Sequence, residues 1–168
     1  LGPEHPHTLD ALDALAGNYS RLGDYQKALE YLRGRGLSDG TIRRFGLGFA
    51  PESWDAVIKH LRGKGFTLDE MAAAAVAVKS ARGSYYDQFR GRVIFPIIDI
   101  RGNVIAFGGR LMDGQGPKYL NSPDTPVFKK SRNLFALNYA KSSKESALIL
   151  AEGYMDVVAL HQYGFDCA

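Results

Sequence analysis

The sequence predicts an α/β protein: an α+β lobe carrying an antiparallel hairpin, followed by the opening of a strand–helix–strand unit. Three observations predict it. Apolar residues recur at helical spacing through roughly the first eighty positions. β-branched and aromatic runs then flank the turn tripeptide Arg101-Gly102-Asn103. Finally, the wholly apolar run Ala147-Leu148-Ile149-Leu150-Ala151 is followed by Gly153 and a new helical pattern. An apolar run without alternation suits a strand buried on both faces.

Taken in order, residues 8–17 place Leu9, Leu12, Leu15 and Ala16 on one helical face, and residues 25–32 do the same with Ala28, Leu29 and Leu32. Leu22-Gly23-Asp24-Tyr25 with Ala28 looks like one tetratricopeptide unit, although such units bury their apolar face by stacking, usually about three together. A single helical hairpin docked on another domain is the other reading. Ser38 can cap a short helix over 41–45, and residues 46–51 are extended or looped. Ser53-Trp54-Asp55 opens a helix with Val57, Ile58 and Leu61 on one face, and Trp54 is expected as a core anchor. Thr67 is placed to cap a helix running through the alanines at 72–75.

After Gly83 the pattern changes to strands. Residues 92–99 and 104–108 form the hairpin, with Pro96 expected at an edge or bulge because it donates no ladder hydrogen bond. Gly108-Gly109 permits close approach of a neighbour or ligand. Residues 114–125 read as a loop and 132–140 as a short helix. A helix over 154–163 ends at Gly164, and the apolar 165–168 begins a second strand, cut short.

The 168 residues suffice for one domain or two small ones, and a composition of 45% hydrophobic and 23% charged residues is that of a globular chain. One cysteine, Cys167, excludes an internal disulfide and a cysteine-rich zinc site in these residues. No apolar run is long enough to span a membrane and no signal peptide is visible, so the expected compartment is the cytoplasm, with no membrane partner. The net charge of +3 is unevenly spread: residues 81–145 hold eleven basic and five acidic side chains, whereas 146–168 hold three acidic and no basic ones. Cations that hold phosphates beside carboxylates that hold metal is an arrangement suited to metal-dependent chemistry on polyanions. A solvated basic surface is the plainer alternative.

Glu152 follows the apolar run, at the strand end where ligands of open α/β sheets gather. Asp156, four residues on, either points to the same side and shares a divalent cation with Glu152 or simply favours the helix N-terminus. In the basic middle, Arg90 and Arg92 share one side of an extended chain. Arg110 ends the second hairpin strand, and Lys118, Tyr119, Asn121, Lys129, Lys130 and Arg132 follow. Arginine and lysine suit phosphates, Tyr119 can stack on a base, and Asn121 can bond a base edge, sugar or phosphate. Tyr85, Tyr86 and Phe89 interleave aromatic rings near Arg90.

Several passages, in family order, resemble the bacterial-type DNA primase catalytic core: Tyr31-Leu32 through Arg35-Gly36-Leu37, Leu47-Gly48-Phe49-Ala50-Pro51 through Trp54-Asp55, Tyr86-Asp87-Gln88-Phe89-Arg90-Gly91-Arg92, Phe95-Pro96-Ile97, Val104-Ile105-Ala106-Phe107-Gly108-Gly109-Arg110, Pro117-Lys118-Tyr119-Leu120-Asn121-Ser122-Pro123 and Glu152-Gly153-Tyr154-Met155-Asp156 on to Val158. The resemblance covers roughly residues 28–168. It implies a lead-in over 1–36, a basic N-terminal subdomain over 37–145 and the truncated βαβ opening of a Toprim domain over 146–168. It implies an RNA polymerase that writes short primers on single-stranded DNA by two-metal nucleotidyl transfer, with Mg2+ or Mn2+ as cofactor. Glu152 then serves as a catalytic and metal-binding residue, with Asp156 beside it. Arg90, Arg92, Arg110, Lys118, Tyr119, Asn121 and Lys130 hold template, RNA primer or nucleoside triphosphate.

The same resemblance places a later Asp-x-Asp motif beyond Ala168, zinc in an absent N-terminal domain, and the contact to a replicative helicase in an absent C-terminal domain. The fragment is therefore expected to be inactive alone. Two rivals remain. A Toprim-containing nuclease or topoisomerase fragment accounts for Glu152 but not for 117–123 or 86–92. A tetratricopeptide-type interaction module accounts for 22–28 but nothing after residue 37.

Overall fold

The computed structural model describes residues 25–168. The helix expected over 8–17 and the Leu22-Gly23-Asp24 portion of the repeat-like element lie outside them. Helix α1 spans Tyr25–Gly34 and α2 spans Asp39–Arg44. Strand β1 (Gly48–Ala50) precedes α3 (Ala56–Gly63) and α4 (Leu68–Ala73). Strands β2 (Ala77–Lys79) and β3 (Tyr85–Asp87) pair antiparallel as a separate ribbon. Then come β4 (Arg92–Ile98), β5 (Val104–Leu111) and β6 (Tyr119–Asn121), a 3-10 turn (Lys130–Arg132), α5 (Leu137–Ala140) and α6 (Tyr154–Gln162). The main sheet has the order β1-β4-β5-β6 and is antiparallel throughout. This is the α/β class expected.

Side chains alternate across β4, and each face meets helices. Ile94 joins Phe107 of β5, Val57, Ile58 and Leu61 of α3 and Met71 of α4 in one core. Val93 and Phe95 join Ala28 and Leu32 of α1, Ile42 of α2 and Val157 and Val158 of α6 in the other. Helices therefore cover both faces of the sheet, which explains why β4 reads as a nearly unbroken apolar run. Pro96 lies beyond Ile94, where pairing with β1 ends, and a register shift follows at Ile97/Ile98. The sheet has a local edge there, and no ladder bond to β1 is lost. The hairpin turn is held by Asp99, whose carboxylate accepts from the backbone N–H groups of Arg101 and Asn103.

Local chemistry makes two helix starts as expected. Ser38 Oγ accepts from the Thr41 N–H. Thr67 and Glu70 form a reciprocal capping box. The start of α3 differs: Asp55 makes no side-chain cap there. Asp87, at the end of β3, reaches across instead and accepts from the N–H groups of Val57 at 2.8 Å and Ile58 at 3.0 Å.

Other expectations are corrected. Trp54 is no core anchor; it is 66% exposed. The stretch 114–125 contains β6, which hydrogen-bonds to β5. Residues 132–140 form only the end of a 3-10 turn and the four-residue α5, because Ala136 between them adopts a left-handed backbone. Phe89 is buried in the core rather than interleaved among surface cations. Residues 147–151 and 165–168 build no ladder; a single bond from the Ile149 N–H to the Cys167 carbonyl joins them. A strand needs a neighbour with continuous extended backbone, and the chain beside 147–151 is turning. Among the described residues, no helix is long and apolar enough to cross a membrane.

Candidate nucleic-acid interface

Asp87 builds the first part of the site. Its carboxylate caps α3, its N–H donates to the Trp54 carbonyl, and its own carbonyl accepts from Arg90 Nη1. One residue thus fixes the helix start, the tryptophan and the arginine together. The Arg90 guanidinium lies 4.2 Å from the centre of the Trp54 indole and 5.2 Å from that of Tyr86. Tyr86 meets Trp54 edge-on. The arginine over the ring is an attractive cation–π contact that holds the exposed indole in place, leaving a flat aromatic surface and a charge side by side. Burial, first, pushes the Asp87 carboxyl above its ordinary range, against the two N–H bonds that lower it.

Arg90 and Arg92 line one cavity with Trp54, Gln88, Met112 and Leu120. Their roles differ. Arg92 is only 7% exposed and donates to the carbonyls of Gly109 and Pro117 at 3.2 and 3.0 Å. It fastens the 117–123 segment to the hairpin. Burial, and then the Arg90 charge, lowers its proton affinity, though a guanidinium stays charged.

Strand β6 carries the site onward. Leu120 faces the Arg90 cavity, whereas Asn121 faces a second cavity of about 170 Å³ with Lys130, Asn133, Phe128 and Tyr154. Arg110, opposite Tyr119 in the β5–β6 register, is buried and donates to the hydroxyls of Tyr31 and Tyr119. Its guanidinium lies 5.1 Å from the Tyr119 ring centre, so Tyr119 is held in place rather than loose in a loop. Lys118 is exposed. Asp124 accepts from the Lys130 backbone N–H and pairs with Lys129 at 3.6 Å. The Lys130 N–H, above all, holds that carboxyl below the usual range.

Glu152 and Asp156 border the same region. Glu152 is exposed and lines a cavity of about 240 Å³ that also takes in Asn121 and Tyr154. Asp156 is exposed, and one carboxylate oxygen folds back over Gly153, 2.6 Å from where a Cβ would stand. The second acid is therefore brought toward the residue after the first, in the opening turn of α6. Among the described residues, no group of three or more His, Cys, Asp or Glu is placed to share a metal ion. Two carboxylates do fit magnesium, which is commonly held by one or two, with water and phosphate completing its shell.

The structure thus brings Asn121 together with Lys130 and with Glu152, sets Arg110 against Tyr119, and places Arg90 in a separate cavity with Arg92 as a strut, whereas Lys118 and Asp156 are exposed and line none of these cavities. Sequence reasoning missed Trp54 and Tyr154 as members. Trp54 carried one usable signal, its place inside the Leu47–Asp55 passage; Tyr154 carried another, its place directly after Glu152-Gly153.

Fold and surface together define an α/β lobe with a cationic, aromatic cavity around Arg90 and a second polar and aromatic group beside Glu152. Residues 19–141 match the family described as DNA primase catalytic core, N-terminal domain, and the chain belongs to that family. It is 45% identical over 149 residues to a DNA primase of Clostridium acetobutylicum, covering 88% of this chain and 25% of that protein. It resembles a solved DnaG primase catalytic domain bound to single-stranded DNA, with a TM-score of 0.86 and 42% identity over 96% of this chain and 54% of that one. It also resembles the RNA polymerase domain of Mycobacterium tuberculosis primase in complex with double-stranded DNA, with a TM-score of 0.90 and 34% identity over 99% of this chain and 55% of that one. The chain spans about a quarter of the curated relative and about half of each solved domain.

Proposed function

We propose that this chain is the strand-holding lobe of a primase catalytic core, with residues 1–36 as lead-in, 37–145 as the basic subdomain and 146–168 as the opening of a Toprim domain. The observations that carry this reading are two groups of side chains: Trp54 with Arg90 in one cavity, and Arg110, Tyr119 and Asn121 on the side of β6 that meets Glu152. Aromatic platforms with cations suit single-stranded nucleic acid, because every base has a stacking face and every nucleotide a phosphate. The solved relative bound to single-stranded DNA supports it.

In this reading the whole protein writes RNA primers on single-stranded DNA. Arg90, Lys118 and Lys130 neutralise phosphates of template, primer or incoming nucleoside triphosphate. Tyr119 and Trp54 offer rings to bases, and Asn121 a polar contact. Glu152 and Asp156 would hold Mg2+ or Mn2+, which supplies charge neutralisation at the transferring phosphoryl group when bound. A zinc-bearing N-terminal domain, a C-terminal domain that meets the replicative helicase, and a cytoplasmic setting belong to the same reading of the whole protein. The family match over residues 19–141 favours it over a Toprim nuclease or topoisomerase, which would leave Trp54, Arg90 and β6 without a role.

The test is to mix the 168 residues with a single-stranded template, ribonucleoside triphosphates and magnesium. The expected result is template bound and no primer made, since two carboxylates are too few for a two-metal centre. Ribonucleotide incorporation would overturn the divided site; absence of template binding would overturn the lobe assignment.

A further inference from the structure

The β5–β6 register sets Gly108 directly opposite Asn121. Gly108 leaves a gap, and the Tyr154 ring fills it: a Cβ at Gly108 would stand 2.5 Å from Cε2 and 2.7 Å from Cζ. Phe95 stacks on that ring at 5.4 Å and Phe135 meets it edge-on at 4.9 Å. Clamped this way, the Tyr154 hydroxyl donates to Oδ1 of Asn121 at 2.9 Å. A phenol keeps its proton across the neutral range, and facing a carbonyl oxygen it can only donate. An asparagine amide has one acceptor end and one donor end. With Oδ1 turned toward the phenol, the amide is oriented and both Nδ2 hydrogens point away from it.

We propose that Tyr154 is a positioning residue that orients the Asn121 amide so that it meets nucleic acid as a hydrogen-bond donor, toward a phosphate oxygen. The inference rests on the assignment of Asn121 to the nucleic-acid surface. Phosphate is favoured over a base because Lys130 lines the same cavity. Tyr154 stands two residues from Glu152 at the first position of α6, so the same contact fixes the amide relative to the acidic residue. The three parts are mutually dependent: an absent side chain on β5, an amide across from it on β6, and a phenol from α6.

The experiment measures dissociation constants of the full chain for twelve-nucleotide dT and dA strands, with melting temperatures recorded alongside. Asn121→Ala is expected to weaken binding about tenfold, as for a lost bond to a charged acceptor. Tyr154→Phe keeps the ring and should weaken it about fivefold, with an unchanged melt. The double variant should be no worse than Asn121→Ala alone, the non-additivity of a coupled pair. Asn121→Asp, which still accepts from Tyr154 but has no donor to offer, should lose at least as much as Asn121→Ala. Equal losses on dT and dA support the phosphate contact, whereas a loss confined to one would place the acceptor on a base and overturn that part. Wild-type affinity in Tyr154→Phe, beside a loss in Asn121→Ala, overturns the positioning role. Wild-type affinity in Asn121→Ala overturns the underlying assignment instead.

Discussion

Replacing Asp87 by alanine is expected to destabilise the fold by about 3 kcal/mol. The residue is 1% exposed and its carboxylate is the acceptor for two backbone N–H groups at the start of α3. Alanine would leave both donors unpaired, and Asp55 makes no side-chain bond that could substitute. In a chain of this size the change should lower the melting temperature by roughly 6–12 °C. Asparagine should be intermediate, at about 1–2 kcal/mol, because one neutral oxygen replaces two charged ones. The pH dependence separates wild type from both variants, neither of which titrates at position 87. Burial raises the Asp87 carboxyl in the folded state, so the native protein binds this proton more tightly than the unfolded chain. The residue's contribution is therefore largest below the unfolded value, about 3.9, and declines as pH rises through the folded one. Asparagine removes that slope. Urea unfolding at several pH values reads both effects. A melt of Asp87→Ala equal to wild type would mean that the cap contributes nothing.

Trp54→Ala is expected to leave the melt unchanged and to weaken single-stranded DNA binding about tenfold, within the 1–3 kcal/mol typical of a base stacked on an aromatic ring. Folding should be indifferent because the ring lies outside both cores. Arg90→Gln should weaken binding too, but with a different signature: one phosphate contact fewer lowers the slope of log Kd against log salt by about 0.7. Trp54→Ala should leave that slope alone. A loss of stability in Trp54→Ala with unchanged binding would return the residue to the structural role that its residue type suggests.

What could be read from sequence follows the range of the interactions. The hairpin of β4 and β5 was legible because its pattern and its turn are contiguous. The caps at Ser38 and Thr67 were legible because donor and acceptor lie three residues apart. The cap on α3 was not, since Asp87 acts across thirty residues. Trp54 was misread for the same reason: tryptophan is commonly buried, and the contacts this one makes at the surface, with Tyr86, Asp87 and Arg90, come from more than thirty residues away. Strand β6 was hidden in a Gly- and Pro-rich stretch because its three residues are strand only by pairing with β5. In the candidate site, residue types signalled cations, ring and carboxylates. That Arg92 is a strut and Tyr154 a partner of Asn121 depends on contacts spanning 25 and 33 residues, which no local pattern encodes.

The central claim is that the surface bearing Trp54 and Arg90, together with the Tyr119 and Asn121 group, holds a single strand through its phosphates and bases. Trp54 is the one tryptophan in the chain, so its fluorescence reports on that face directly. The deciding measurement is a titration of the 168 residues with oligo-dT at several salt concentrations, followed by Trp54 emission. The account predicts quenching on binding, with an affinity that falls as salt rises and a log–log slope of about −2 if Arg90, Lys118 and Lys130 each neutralise one phosphate. Unchanged emission at saturating DNA, or binding indifferent to salt, would contradict it.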